Sequence, residues 1–135
     1  MSRGLGDVYK RQKLYGRDTV YGNDVLYTLK EDENIEIVGN QIQLIDVKVN
    51  KEKALGKVVY GMGNNNDETE GCKYKNVIFT NALGPVLVKN PWYAEKLIRQ
   101  AMKTKGIELE EKKLDYELEY KSLECIKKFI NGKGE

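Results

Sequence analysis

The sequence contains no histidine. That absence excludes a Ser-His-Asp or Cys-His triad built within this chain, and any metal centre that depends on imidazole. Cysteine is scarce: Cys72 and Cys125 stand alone, and one possible pair is no disulfide framework. No apolar run approaches the roughly 20 residues that span a bilayer, and no signal-peptide pattern is visible. These absences leave the reducing cytoplasm as the expected location, away from any membrane. An excess of one charge is missing too, since 23 Lys and Arg face 21 Asp and Glu, a net of +2. Nucleic-acid binders draw affinity from an unbalanced basic surface, so no nucleic-acid partner is expected.

What is present is room for one domain, because 135 residues can bury a core without staples. Residues 1–12, MSRGLGDVYKRQ, have no apolar period and end on a basic cluster. They resemble a translated sequencing adapter or vector scar and are set aside from fold reasoning. Arg3, Lys10 and Arg11 against Asp7 account for the whole net charge, so the remainder is neutral.

Residues 13–135 read as strands first and helices after. A short hairpin is predicted over 13–32, turning at Gly22-Asn23-Asp24, with a polar turn at Glu31-Asp32-Glu33-Asn34 behind it. Strands follow at 35–38 and 42–49, where Ile42, Leu44, Val47 and Val49 fall near period two. Gly39-Asn40 between them signals a turn or bulge. A third strand at 57–60 closes into a loop at 61–67, and 76–81 reads as a strand buried on both faces. Asn90 is the predicted N-cap of a helix that begins at Pro91 and ends near Gly106. Ala94, Leu97, Ile98 and Ala101 form the apolar face that should pack on the sheet. A last helix is predicted over about 115–130, with Tyr116, Tyr120, Leu123, Ile126 and Ile130 as its stripe. The expected class is α/β, a layered sheet with flanking helices.

Several short motifs then occur in order. Gly61, Gly63, Asn64 and Asn65 close the third strand, Glu70-Gly71 follow, and Thr80-Asn81-Ala82-Leu83-Gly84-Pro85 precede Lys89-Asn90-Pro91. From Leu55 to about Ala101 this order resembles the carboxy-terminal part of the CobB/CobQ-type class I glutamine amidotransferases. Within that group it is most similar to the small subunits that pair with a Mur-ligase-like enzyme. Val38-Gly39-Asn40-Gln41 aligns with a further family stretch when a gap is allowed. The resemblance implies a partial flavodoxin-like domain spanning 13–135, no cofactor, and a Mur-ligase-like or synthetase partner.

It also implies a chemistry. A Cys thiolate attacks the glutamine carboxamide, a His activates it, and backbone N–H groups hold the oxyanion. The family nucleophile belongs to an amino-terminal half that this chain does not contain. The His would stand directly before Gly84-Pro85, where this chain has Leu83, which accepts no proton. No substitute is evident: Cys72 and Cys125 read as small semi-buried thiols, and Asp67, Glu68 and Glu70 as a solvated acidic turn without calcium-loop order. Gly61-x-Gly63 has no helix or Lys-Ser/Thr pair behind it, so it is no phosphate loop. Trp92 and Tyr93 read as core anchors. Two functions remain open. One is a partial amidotransferase-like protein inactive as given; the other is a non-enzymatic module of the same fold that binds a ligand or partner.

Overall fold

The computed structural model describes residues 13–110 and 112–132, so residues 1–12, read above as a scar, lie outside the described residues. Two 17-residue strands, β1 (Lys13–Leu29) and β2 (Asp32–Lys48), dominate it. They pair antiparallel, with Leu26 opposite Val38 and Tyr27 opposite Ile37. One long hairpin therefore replaces the expected short hairpin and pair of strands, and its turn is Lys30-Glu31. Asp32 still does turn chemistry there, its carboxylate accepting from the Asn34 N–H at 3.1 Å.

Gly22-Asn23-Asp24 does not turn, because its polar side chains find partners across the sheet. Asn40 Nδ2 donates to Asp24 Oδ1 at 2.6 Å, and Asn23 Nδ2 donates to the Tyr60 hydroxyl at 3.3 Å. Gly39-Asn40 likewise stays in register with Val25 and Asp24. Its glycine answers a close approach instead, since a Cβ at Gly39 would lie 2.7 Å from the Ala82 Cβ.

A five-stranded sheet grows around the hairpin in the order β4-β3-β1-β2-β7, every pairing antiparallel. Its added strands are β3 (Gly56–Tyr60), β4 (Thr69–Glu70) and β7 (Ala82–Leu83). The small hairpin β5 (Cys72–Tyr74) and β6 (Val77–Phe79) forms a separate sheet. There Val77 is exposed and Ile78 and Phe79 half-buried, so the expected doubly buried strand is corrected to a short peripheral one. The sheet core is Val25, Tyr27, Leu29, Ile37 and Val38, all essentially without solvent contact. At about 1.5–3 kcal/mol per buried large side chain, this cluster is the main stabilising term of the first unit.

The period-two reading of β2 holds at Val47, which is buried, and fails at Ile42 and Leu44. Ile42 and Leu44 are 60% and 59% exposed, whereas Gln41 and Gln43 point inward. Two glutamines occupy core positions because backbone groups wait there for their amides, as described below.

The chain divides into two compact units, with the boundary between Leu83 and Gly84. The second unit is helical: α1 (Val86–Lys89), α2 (Pro91–Thr104) and α3 (Glu117–Gly132). Pro91 opens α2 and Asn90 stands at its N-cap position as expected, but the Asn90 side chain makes no capping bond to the helix. Its Nδ2 donates backward to Val86 O at 2.7 Å, closing α1 instead. At the other end the Gly106 and Ile107 N–H groups return to Lys103 and Met102 carbonyls at 3.0 and 3.1 Å. With Gly106 at φ 71° this is a Schellman stop. The apolar face of α2 is only partly covered: Leu97 is half-buried, Ala101 is exposed and Ile98 is 56% exposed. Burial falls on Pro91 and Tyr93 instead, with Trp92 stacked obliquely beside Tyr93 at 5.5 Å. In α3, Leu123 and Ile130 are buried, while Tyr120 of the expected stripe is exposed.

Candidate functional site

Gly63, Asn64, Glu70, Gly71 and Thr80 of the family-like motifs fall in one buried polar network. Three glycines make it possible. Gly61, Gly63 and Gly71 have φ of 101°, 66° and 56°, which L side chains adopt at a cost. Space is short as well, since a Cβ would lie 2.3 Å from Thr69 O at Gly63 and 2.2 Å from Phe79 O at Gly71.

The chain approach at Gly63 serves Gln41. Gln41 Nε2 donates to Gly63 O at 2.6 Å, and the Gly63 N–H donates back to Gln41 Oε1 at 3.1 Å. The amide side chain thus pairs with the loop as a strand backbone would. Gln43 continues the seam, donating to Asn64 O at 2.7 Å and contacting Gln41 directly. This seam explains why Ile42 faces outward: a buried backbone group left unpaired costs more than an exposed isoleucine.

Asn64 is fully buried and saturated. Its Nδ2 donates to Thr69 Oγ1 at 2.9 Å and Gly71 O at 3.0 Å, and its Oδ1 accepts from Asn81 Nδ2 at 2.9 Å. Asn81 was not singled out above, nor were Gln41 and Gln43 as polar core residues. The available signal was the polar pair Gln41 and Gln43 alternating with apolar neighbours. Asn65 is half-buried next to this knot.

Glu70 corrects the solvated-turn reading most clearly. It is fully buried on β4 and accepts from Thr80 Oγ1 at 2.8 Å, Asn81 N at 2.7 Å and Asn81 Nδ2 at 3.0 Å. Burial pushes its carboxyl above the ordinary value of 4.5, against the pull of hydrogen bonds from Asn81, Thr80 and Ala82. Asp67 is separate from it and caps the turn, accepting from the Thr69 N–H at 3.0 Å. These carboxylates serve different jobs and do not converge.

Leu83 ends the first unit. It lies opposite Asn40 in the β2–β7 pairing and is 48% exposed, so the position before Gly84-Pro85 is presented to solvent at a strand end. Gly84 and Pro85, joined by a cis peptide bond, open the second unit and are both exposed. Neither free thiol is semi-buried as expected: Cys72 is buried and Cys125 is exposed on α3. No helix among the described residues is long and apolar enough to cross a membrane.

Two curated relatives, both glutamine-hydrolysing subunits, match part of the chain. The chain is 40% identical over 73 residues to the Staphylococcus aureus (strain N315) lipid II isoglutaminyl synthase (glutamine-hydrolyzing) subunit GatD. It is 46% identical over 55 residues to the corresponding GatD subunit of Streptococcus pneumoniae (strain ATCC BAA-255 / R6). The matches cover 53% and 40% of this chain, but only 30% and 21% of those relatives. No family model matches the chain.

Proposed function

We propose that this chain is a partial glutamine amidotransferase-like protein of the class I, CobB/CobQ type, inactive in glutamine hydrolysis as it stands. The observation that carries the reading is Leu83, exposed at the end of β7 where the family resemblance expects the activating His. Of the family motif positions, Asn64 donates to Gly71 O and Thr80 to Glu70 Oε1, while Gly63 is paired with Gln41, and together they form the scaffold beneath that point. Residues 13–135 correspond in this reading to the carboxy-terminal half of the family domain, although their all-antiparallel sheet departs from the parallel sheet of a flavodoxin-like fold. In this reading the protein is cytoplasmic, carries no cofactor of its own and stands beside a Mur-ligase-like or synthetase partner.

A second reading has its own support. A chain without histidine and with an intact buried scaffold suits a module that binds a ligand or partner without chemistry. One assay separates active from inactive forms. The purified chain should release no ammonia from glutamine between about pH 6 and 9, which brackets the reference pKa values of His and Cys. Leu83→His should not rescue it, because a base without a positioned nucleophile and oxyanion donors activates nothing. Glutamine-dependent release that Cys72→Ala abolishes would overturn the inactive reading.

A further inference from the structure

We propose that Glu70 is a positioning residue whose carboxylate latches the Thr80–Ala82 segment and thereby sets where side chain 83 stands. The importance of position 83 rests on the amidotransferase reading; the latch itself rests on geometry. Strand β7 is two residues long and is tied to β2 at two register positions, Asn40–Leu83 and Gln41–Ala82. So short a strand needs a second attachment. Glu70 supplies it with three hydrogen bonds, all from residues 80 and 81.

Thr80 extends the latch in both directions. Having given its proton to Glu70 Oε1, its oxygen accepts from the Ala82 N–H at 3.0 Å and meets the Tyr27 hydroxyl at 3.2 Å. Glu70 is itself fixed, paired with Gly56 across β3–β4 and followed by Gly71, which is pressed against Phe79 O. The chemistry asks for a carboxylate, because every group facing it is a donor and a carboxylate is acceptor-only. A glutamine would turn an NH2 group toward Asn81 Nδ2. Burying a carboxylate is costly, so its presence marks a place where that acceptor set is needed.

The latch should respond to pH. The groups facing the carboxylate are Thr80, Asn81 and the Ala82 N–H, with the Tyr27 phenol of β1 joined through Thr80. The closed latch holds a carboxyl that is harder to ionise than a solvated one. Folding stability linked to this carboxyl is therefore fullest below the ordinary value of 4.5 and declines as pH rises through the raised folded value. The latch bonds themselves pull the other way and favour the ionised group.

Amide hydrogen exchange on the full chain tests this, with Leu26 and Tyr27 as core references. Glu70→Ala should lower protection of Asn81 and Ala82 about tenfold or more while the references keep theirs. Glu70→Gln keeps one carbonyl acceptor but sets an NH2 against a donor, so it should restore that protection only in part and flatten its dependence on pH. Leu83→His adds the chain's sole imidazole, which should give one sharp NMR signal set with Glu70 present and a random-coil one in Glu70→Ala. Loss of protection at 81–82 in step with the core, or no loss, would overturn the latch. If Glu70→Ala does not fold, the pH profiles decide: a wild-type profile as flat as that of Glu70→Gln overturns it. Ammonia release from this chain bears on the amidotransferase reading and leaves the exchange pattern untouched, so the two can fail separately.

Discussion

At the residue scale, the glycines divide by what surrounds them. Gly71 combines a positive φ with a carbonyl where its Cβ would go, whereas Gly22 lies in open space on β1. Gly71→Ala should therefore cost about 2 kcal/mol or more in urea unfolding, from left-handed strain plus the clash. Gly22→Ala should be neutral or stabilising by up to about 0.5 kcal/mol, because alanine loses less backbone entropy in a strand. Equal costs at the two sites would remove the close-approach explanation. Gln41 obeys the same logic, since Gln41→Ala strands both the N–H and the C=O of Gly63 in the interior. A loss of about 1–3 kcal/mol is expected in the same measurement. None of these costs is visible from residue type, because a glycine or glutamine is identified as special only by what approaches it.

At the element scale, periodicity identified α2 and α3 and failed on their coverage. The α2 segment has the start and stop chemistry of a helix, with Pro91 at the first position and a left-handed Gly106 after the last. Amphipathic spacing says which face could be buried, not which face is. Ile98→Ser should thus change stability by no more than about 0.5 kcal/mol, while Leu123→Ala in α3 should cost about 2–5 kcal/mol. Thermal melts of the two variants check this, and a large loss from Ile98→Ser would show that the face is covered after all. The strands show the same limit in sharper form. Alternation grouped Ile42 and Leu44 with Val47, but the hydrogen-bonding needs of the 63–64 backbone bring Gln41 and Gln43 inward beside Val47 and leave Ile42 and Leu44 outside.

At the scale of the whole molecule, exposed apolar surface and open strand edge coincide on the hairpin. Ile42, Leu44 and Val20 are exposed, and β7 pairs with Asn40 and Gln41 alone among the 17 residues of β2. Sheets with such edges and patches associate unless they are covered. Sedimentation velocity should accordingly find concentration-dependent association. The double variant Ile42→Lys with Leu44→Lys should reduce it without loss of folded structure, because neither side chain is in the core. A monomer that stays ideal at every concentration would contradict the prediction.

The sequence by itself determined what local chemistry and composition can decide. It excluded imidazole chemistry, ordered strands before helices, marked the 61–67 loop, started α2 at Pro91 and stopped it at Gly106. Each of these depends on a residue and its near neighbours. Tertiary structure alone decided that Gly22-Asn23-Asp24 runs straight, that Gln41 and Gln43 face inward, and that Glu70 is the buried anchor of Thr80 and Asn81. In each of those cases a polar side chain's place was set by partners distant in sequence. A polar residue has two good environments, water and a matched buried partner, and only the folded chain shows which one it has.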